Sequence, residues 1–310
     1  MIKMSKPPLV IIVGPTAVGK TSVSIELAKT FDGEIVSADS RLLFRDMNIG
    51  TAKPSKEEMS NVPHYLINVA NPDEIWSLAE YLRSAKQRID DIHQRKKLPF
   101  LVGGTGQYIR AIIEGWKIPP QSPDLLLRNA LEAWAEEIGP EAFHACLSRL
   151  DPEAAQLIDY RNVRRVVRAV EVIYKTGKRF SELRSKQECA CQPIILGIDR
   201  PRDELYDRVD IRIEQMLDDG LVKEVQGLLD KGYSPKLPTM SAIGYAEIIK
   251  YLEKEISLDE AVQLIKRNTR VFVRRQANWF KPDDPRINWV DADDTIVEEM
   301  AKIIRRKLND

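Results

Sequence analysis

Apolar residues recur along this chain with two distinct periods. Leu9-Val10-Ile11-Ile12-Val13 is an unbroken, largely β-branched apolar run, as expected of a strand covered on both faces of a parallel sheet. Thr21 to Phe31 comes next with Val23, Leu27 and Ala28 on one side, which predicts a helix. Glu34-Ile35-Val36-Ser37-Ala38 and Pro99-Phe100-Leu101-Val102 predict two further strands, each leading through a turn into a helical pattern. Such alternation means βαβ units, so residues from about 7 to 115 are expected to build a parallel sheet.

The pattern changes after a breaker cluster, Pro119-Pro120-Gln121-Ser122-Pro123. From there to Gln192 the chain is helical in period and offers no strand. Pro193-Ile194-Ile195-Leu196-Gly197-Ile198 then restores a buried strand, with amphipathic helices after it. The economical reading is an α/β core of residues 1–118 and 193–310, interrupted by an all-helical insertion at 119–192. Two independent domains in series would leave the returning strand without a sheet to join.

Between the first strand and the first helix lies Gly14-Pro15-Thr16-Ala17-Val18-Gly19-Lys20-Thr21, which fits G-x-x-x-x-G-K-[ST]. With a strand before it and a helix after it, the pattern predicts a phosphate cradle of the ATP-binding loop type. The glycines let backbone N–H groups converge at a helix N-terminus, where the dipole favours negative charge. Gly14, Thr16, Ala17, Val18, Gly19, Lys20 and Thr21 would surround a di- or triphosphate. Lys20 would neutralise it, and the Thr21 hydroxyl would ligate Mg2+. In an open parallel sheet ligands bind beyond the carboxyl ends of the strands. Asp39 and Thr105, each just past such an end, are therefore placed beside the loop.

Charged residues make up 30% of the 310 residues and balance to zero, so local charge clusters carry more information than the total. Three cysteines (Cys146, Cys189, Cys191) and three histidines give neither a disulfide framework nor a zinc spacing. A reducing cytoplasm fits this usage, and the N-terminal apolar run is too short for a signal peptide or a membrane span. Projected as a helix, residues Arg161 to Tyr174 put Arg161, Arg164, Arg165 and Arg168 on one face. Val163, Val166, Val167, Val170, Ile173 and Tyr174 fall opposite. A second stripe runs from Lys266 to Lys281, six basic residues with no acidic one, in which Lys266, Arg267, Arg270 and Arg274 share one side. Ala261, Ile265, Phe272 and Trp279 share another. Two one-sided basic helices in a neutral chain suggest a partner read through its phosphate backbone.

Phosphate-loop kinases and NTPases usually hold magnesium with an aspartate ending a second strand. The candidate here ends Leu101-Val102-Gly103-Gly104-Thr105, with no acid. Asp39, in Ser37-Ala38-Asp39-Ser40-Arg41, is instead placed to take a proton from an incoming nucleophile.

Several segments, in order, make the chain similar to the tRNA dimethylallyltransferases of the bacterial type. They are Gly14 to Thr21, Ala38-Asp39-Ser40-Arg41, Asn48-Ile49-Gly50-Thr51-Ala52-Lys53-Pro54 and Val102 to Gly106. Asn162-Val163-Arg164-Arg165-Val166-Val167-Arg168-Ala169-Val170-Glu171, Gly220 to Val225, Ala242-Ile243-Gly244-Tyr245 and Thr269-Arg270 through Gln276 to Phe280 complete the likeness, which spans nearly the whole chain. It implies a phosphate-loop α/β fold with a helical insertion, Mg2+, and transfer of a dimethylallyl group from its diphosphate to N6 of an adenosine beside the tRNA anticodon.

The resemblance implies roles for residues as well. Asp39 would accept the proton of the adenine amine or orient it, and Arg212 would support the leaving diphosphate with Lys20 and Thr21. Asp39, Ser40, Arg41, Leu42, Thr105 and Arg128 would meet the tRNA. So would Val163, Arg164, Arg165, Val166, Val167, Ile243, Gly244, Tyr245, Arg274, Arg275 and Gln276. The helical insertion would clasp the anticodon stem-loop, a task that suits a monomer without a membrane or an obligate protein partner. Leu42 and Phe44 stand where the family often has glutamine and tyrosine, and Asn278 where threonine is common. The zinc-finger cysteines of the eukaryotic form are lacking before Asp310. The alternatives are an adenylate isopentenyltransferase acting on free nucleotide, a phosphate-loop small-molecule kinase and a non-catalytic RNA-binding protein. The basic stripes count against the first, the missing second-strand aspartate against the second and the intact Lys20-Thr21 pair against the third.

Overall fold

The computed structural model describes residues 6–59, 62–118, 124–183 and 188–309; the breaker cluster at 119–123 and the first five residues lie outside them. Among the described residues the chain runs β1 (Pro8–Val13), α1 (Lys20–Thr30), β2 (Gly33–Ser37), α2 (Lys56–Met59), β3 (His64–Tyr65), α3 (Leu78–Gln94), β4 (Leu98–Val102) and α4 (Gly106–Ile113). Helices α5 (Leu125–Ile138), α6 (Pro140–Leu150), α7 (Pro152–Leu157), α8 (Val163–Thr176) and α9 (Phe180–Leu183) come next. The chain returns with β5 (Gln192–Asp199), α10 (Arg202–Asp218), α11 (Leu221–Asp230), α12 (Tyr245–Leu252), α13 (Leu258–Ala277), β6 (Ile287–Asp291) and α14 (Ile296–Asn309).

The strands form one parallel sheet in the order β3-β2-β4-β1-β5-β6. β1 sits inside it, Ile11 opposite both Leu101 of β4 and Ile195 of β5, and Leu9 to Val13 have no exposed surface. That burial is the physical reason for the unbroken apolar run. β5 is the returning strand, and it pairs with β1 along six residues. Since β4 separates β1 from β2, the loop after β4 lies between the phosphate loop and the residues after β2. The site depends on that placement. α1 and α14 pack together against the sheet.

The chain divides into two compact units. One comprises Met1–Trp76, Tyr81–Ile113 and Ala190–Asp310; the other Ser77–Glu80 and Glu114–Cys189. The helical unit has its own core of Leu131, Ala135, Phe143, Leu147, Ala154, Ile158, Val166, Val167 and Val170, among others. Its buried polar anchor is Asp151, which caps α7 through the Ala154 N–H and accepts two bonds from Ser181.

Both basic stripes differ from their projection. α8 begins at Val163 with Asn162 as its cap, so Arg161 lies outside the helix and donates to Asp159 instead. Arg168 pairs with the buried Glu171 at 2.8 Å, and Tyr174, projected onto the apolar face, is 62% exposed. In α13, Lys266 bonds Glu214 at 2.9 Å and Arg270 bonds Asp210 at 2.6 Å, both on α10. The acids missing from the stripe are supplied by a neighbouring helix. Phe272, projected inward, is exposed.

Candidate active site

The phosphate loop turns out of β1 at Gly14 and enters α1 at Lys20. Gly19 caps that helix at φ 108°, a left-handed conformation that L side chains rarely adopt, and Ala17 stands at φ 63°. Lys20 Nζ donates to the carbonyls of Gly14 at 3.0 Å and Pro15 at 2.7 Å. Burial pulls the Lys20 ammonium down to about 8; nearby Asp39 opposes that shift and Arg212 adds to it. Arg208 Nε, one turn before Arg212 on α10, donates to the Ala17 carbonyl at 2.8 Å. Arg212 is lowered too, by burial first and then by Arg208, against the carboxylates of Glu58 and Asp39. Lys20, Arg212 and Asp39 thus share one electrostatic environment.

Asp39 comes just after β2 and is fixed from two sides. Its Oδ1 accepts from the Arg41 N–H at 2.9 Å, and the next peptide N–H, at Ser40, donates to Thr105 Oγ1 at 3.0 Å. The Thr105 N–H in turn bonds the Ala38 carbonyl at 3.1 Å. Gly103 makes this approach possible, since a Cβ there would collide with the Ala38 backbone. The loop after β4 is therefore the strut between the aspartate and the phosphate loop.

The segment beyond Arg41 is stitched by one anion and one cation. Glu224 of α11 accepts from the N–H groups of Asn48, Ile49 and Gly50, and from the Tyr245 hydroxyl at 2.6 Å. Lys53 donates to the Phe44 carbonyl, Asn48 Oδ1 and Asn68 Oδ1; burial lowers it to about 8, against the attraction of Glu224 and Asp46.

The sheet unit brings together Gly14, Thr16 to Thr21, Asp39, Ser40, Arg41, Thr105, Arg212 and Gln276. Leu42 is half-buried and its carbonyl accepts from the Asn68 N–H, a backbone task open to any residue. Arg274 and Arg275 are exposed, and Ile243 is half-buried. Several residues expected to meet tRNA are otherwise engaged. Tyr245 has no exposed surface and is spent on Glu224, and Gly244 is buried as the cap of α12. Gln276, 5% exposed, accepts from the Thr16 N–H at 2.8 Å and donates to the Gly104 carbonyl at 3.2 Å. In the helical unit Val166 and Val167 close the core, Val163 packs against it, and Arg128 pairs with Glu171 at 2.7 Å. Arg164 and Arg165 are exposed.

Two contributors escape a reading of the sequence. Arg208 could be found by its i, i+4 spacing to Arg212. Glu224 lies inside the Gly220 to Val225 segment, but its three amide partners are some 175 residues away and leave no local signal.

Among the described residues no group of three or more histidines, cysteines or carboxylates could hold a metal ion, and no helix is long and apolar enough to cross a membrane. Magnesium bound to a diphosphate keeps several waters and needs few protein ligands. The exposed Thr21 hydroxyl, a hard oxygen in the first turn of α1, fits that requirement.

Comparison with known proteins is consistent from sequence to fold. The family model described as IPP transferase matches residues 42–283. A tRNA dimethylallyltransferase of Thermomicrobium roseum is 47% identical over 93% of this chain and 87% of its own length. One from Roseiflexus castenholzii is 48% identical over 98% and 99%. The crystal structure of a tRNA isopentenylpyrophosphate transferase from Bacillus halodurans superposes with a TM-score of 0.74 at 40% identity, covering 98% of this chain and 97% of that one. A eukaryotic dimethylallyltransferase acting on tRNA gives 0.83 at 26% identity, over 98% and 79%. The chain with this phosphate loop and its facing aspartate belongs to the IPP transferase family.

Proposed function

We propose that this protein transfers the dimethylallyl group of dimethylallyl diphosphate to N6 of the adenosine adjacent to the anticodon in tRNA. The observation that carries the reading is the phosphate loop with Lys20 folded onto its Gly14 and Pro15 carbonyls and Arg208 of α10 on its Ala17 carbonyl, within electrostatic reach of Arg212 and Asp39. The names of the relatives support the same substrates.

The adenine N6 lone pair forms the new bond to C1 of the allyl group while the C1–O bond to diphosphate breaks. Negative charge grows on the departing oxygens, where Lys20, Arg212 and the loop amides stabilise it. N6 loses its proton to Asp39, held within reach by the Arg41 N–H and by Thr105. The Thr21 hydroxyl would help to hold magnesium, which when bound would supply further charge neutralisation at the leaving group. The remaining acceleration comes from holding N6 in line with C1, and a loop base must leave its stack to reach that position. We assign RNA backbone contacts to the exposed Arg164 and Arg165 of the helical insertion and to Arg274 and Arg275 at the end of α13. A cytoplasmic setting accords with the substrate.

The test is a substrate panel. The protein, magnesium and dimethylallyl diphosphate are incubated with unmodified tRNA, with AMP or with neither, and ATP replaces the diphosphate in a parallel arm. Prenylation of tRNA alone supports the reading. Comparable transfer to AMP contradicts it.

A further inference from the structure

The side chain of Gln276 is 5% exposed and makes two hydrogen bonds, both to backbone. Its carboxamide lies between two backbones far apart in sequence. Oε1 accepts the Thr16 N–H of the phosphate loop at 2.8 Å, and Nε2 donates to the Gly104 carbonyl of the β4–α4 corner at 3.2 Å. Gly104 makes space for it, since any Cβ there would collide with Nε2. Three residues on, the Trp279 ring packs where a Cβ on Gly106 would stand, so the end of α13 is seated along the same corner. α13 is itself tied to α10 by Lys266–Glu214 and Arg270–Asp210, and α10 reaches the loop through Arg208 and the Ala17 carbonyl. One helix thus holds an N–H of the loop, and the helix bonded to it holds the next residue's C=O.

We infer that Gln276 is a positioning residue for the phosphate loop rather than a contact to RNA. It keeps the Thr16 amide turned away from the bound anion and fixes the first turn of the loop against the corner that carries Thr105. The remaining amides then converge on the diphosphate without reorganisation, and the leaving group and Asp39 keep a constant spacing. Both halves of the carboxamide are required. A carboxylate would still accept from Thr16 but would oppose the Gly104 carbonyl, and a thioether would serve neither partner.

This inference rests on the proposed function only for the identity of the anion. The test uses the full chain as wild type, Gln276→Met and Gln276→Glu, after thermal melts show that each is folded. Three quantities are read: the Kd for dimethylallyl diphosphate with magnesium, the Kd for unmodified tRNA, and amide hydrogen exchange over residues 14–21. For Gln276→Met the diphosphate Kd is expected to rise about tenfold, as for loss of a buried hydrogen bond that holds the loop. Exchange over the loop should quicken while the tRNA Kd stays within about twofold, and Gln276→Glu should weaken diphosphate binding at least as much, because a buried carboxylate opposes both the Gly104 carbonyl and the bound anion. A tenfold or greater loss of tRNA affinity with the diphosphate Kd unchanged would overturn the inference, because the carboxamide would then read RNA. Unchanged exchange over the loop in Gln276→Met would overturn it as well. If the wild type itself failed to bind dimethylallyl diphosphate, the functional reading would fall, and the exchange experiment would still decide the role of Gln276.

Discussion

Replacing Thr105 by valine keeps the shape of the side chain and removes one hydroxyl oxygen. That oxygen is the acceptor for the Ser40 N–H, which belongs to the peptide linking Asp39 to Ser40. Valine cannot accept it, and both residues are half-buried, so water replaces the lost partner only in part. The cost in stability should be about 1 kcal/mol, the low end for an unsatisfied amide. The bond from the Thr105 N–H to the Ala38 carbonyl survives, so the fold should persist. The larger effect falls on geometry. With one of its two restraints gone, Asp39 can drift, and a misplacement of about 1 Å at a reacting group costs on the order of a hundredfold in rate. Steady-state transfer of labelled dimethylallyl groups to tRNA should give kcat lowered roughly 10- to 100-fold, with KM for the diphosphate changed less than about twofold. If Thr105 acts instead by touching RNA, KM for tRNA will rise and kcat will hold. An unchanged kcat would refute the strut.

The charge on Lys20 and the amides gathered by Glu224 give two other expected outcomes. Because burial pulls Lys20 down to about 8 in the free protein and its charged form binds the anion, the dissociation constant for dimethylallyl diphosphate should be flat from about pH 7, where the diphosphate is fully ionised, up to about that value. Above it the constant should rise by up to about tenfold per pH unit, a dependence that titration calorimetry can follow and that Lys20→Arg should abolish. Glu224→Leu strips three amides and the Tyr245 hydroxyl of their shared acceptor. It should destabilise the protein by about 2 kcal/mol or more in urea melts and expose the 41–54 segment to protease, whereas Tyr245→Phe should cost about 1 kcal/mol.

The parts of this protein that are legible in its sequence are those whose cause is local. Leu9 to Val13 is apolar without interruption because both faces of β1 are covered, and the glycine spacing of the phosphate loop reflects the backbone it must adopt. Parallel topology then places Asp39 and Thr105 beside the loop. β3, only His64–Tyr65, is too short to show a period. The basic stripe of α13 looks unpaired along the chain because Asp210 and Glu214 lie more than fifty residues away on another helix. Gln276 and Tyr245 are expected at the RNA for a related reason. Their position in recognisable segments is visible in the sequence, whereas Thr16, Gly104 and Glu224 become their partners only when the chain folds.

The central claim is that Asp39 takes the proton of the attacking amine opposite a diphosphate held at Lys20. Single-turnover prenyl transfer by Asp39→Asn, which preserves size and the bond from the Arg41 N–H, tests it most directly. The rate of the chemical step should fall by about 10²- to 10⁴-fold, with both substrates still bound at close to wild-type affinity. Transfer at the wild-type rate would contradict the account.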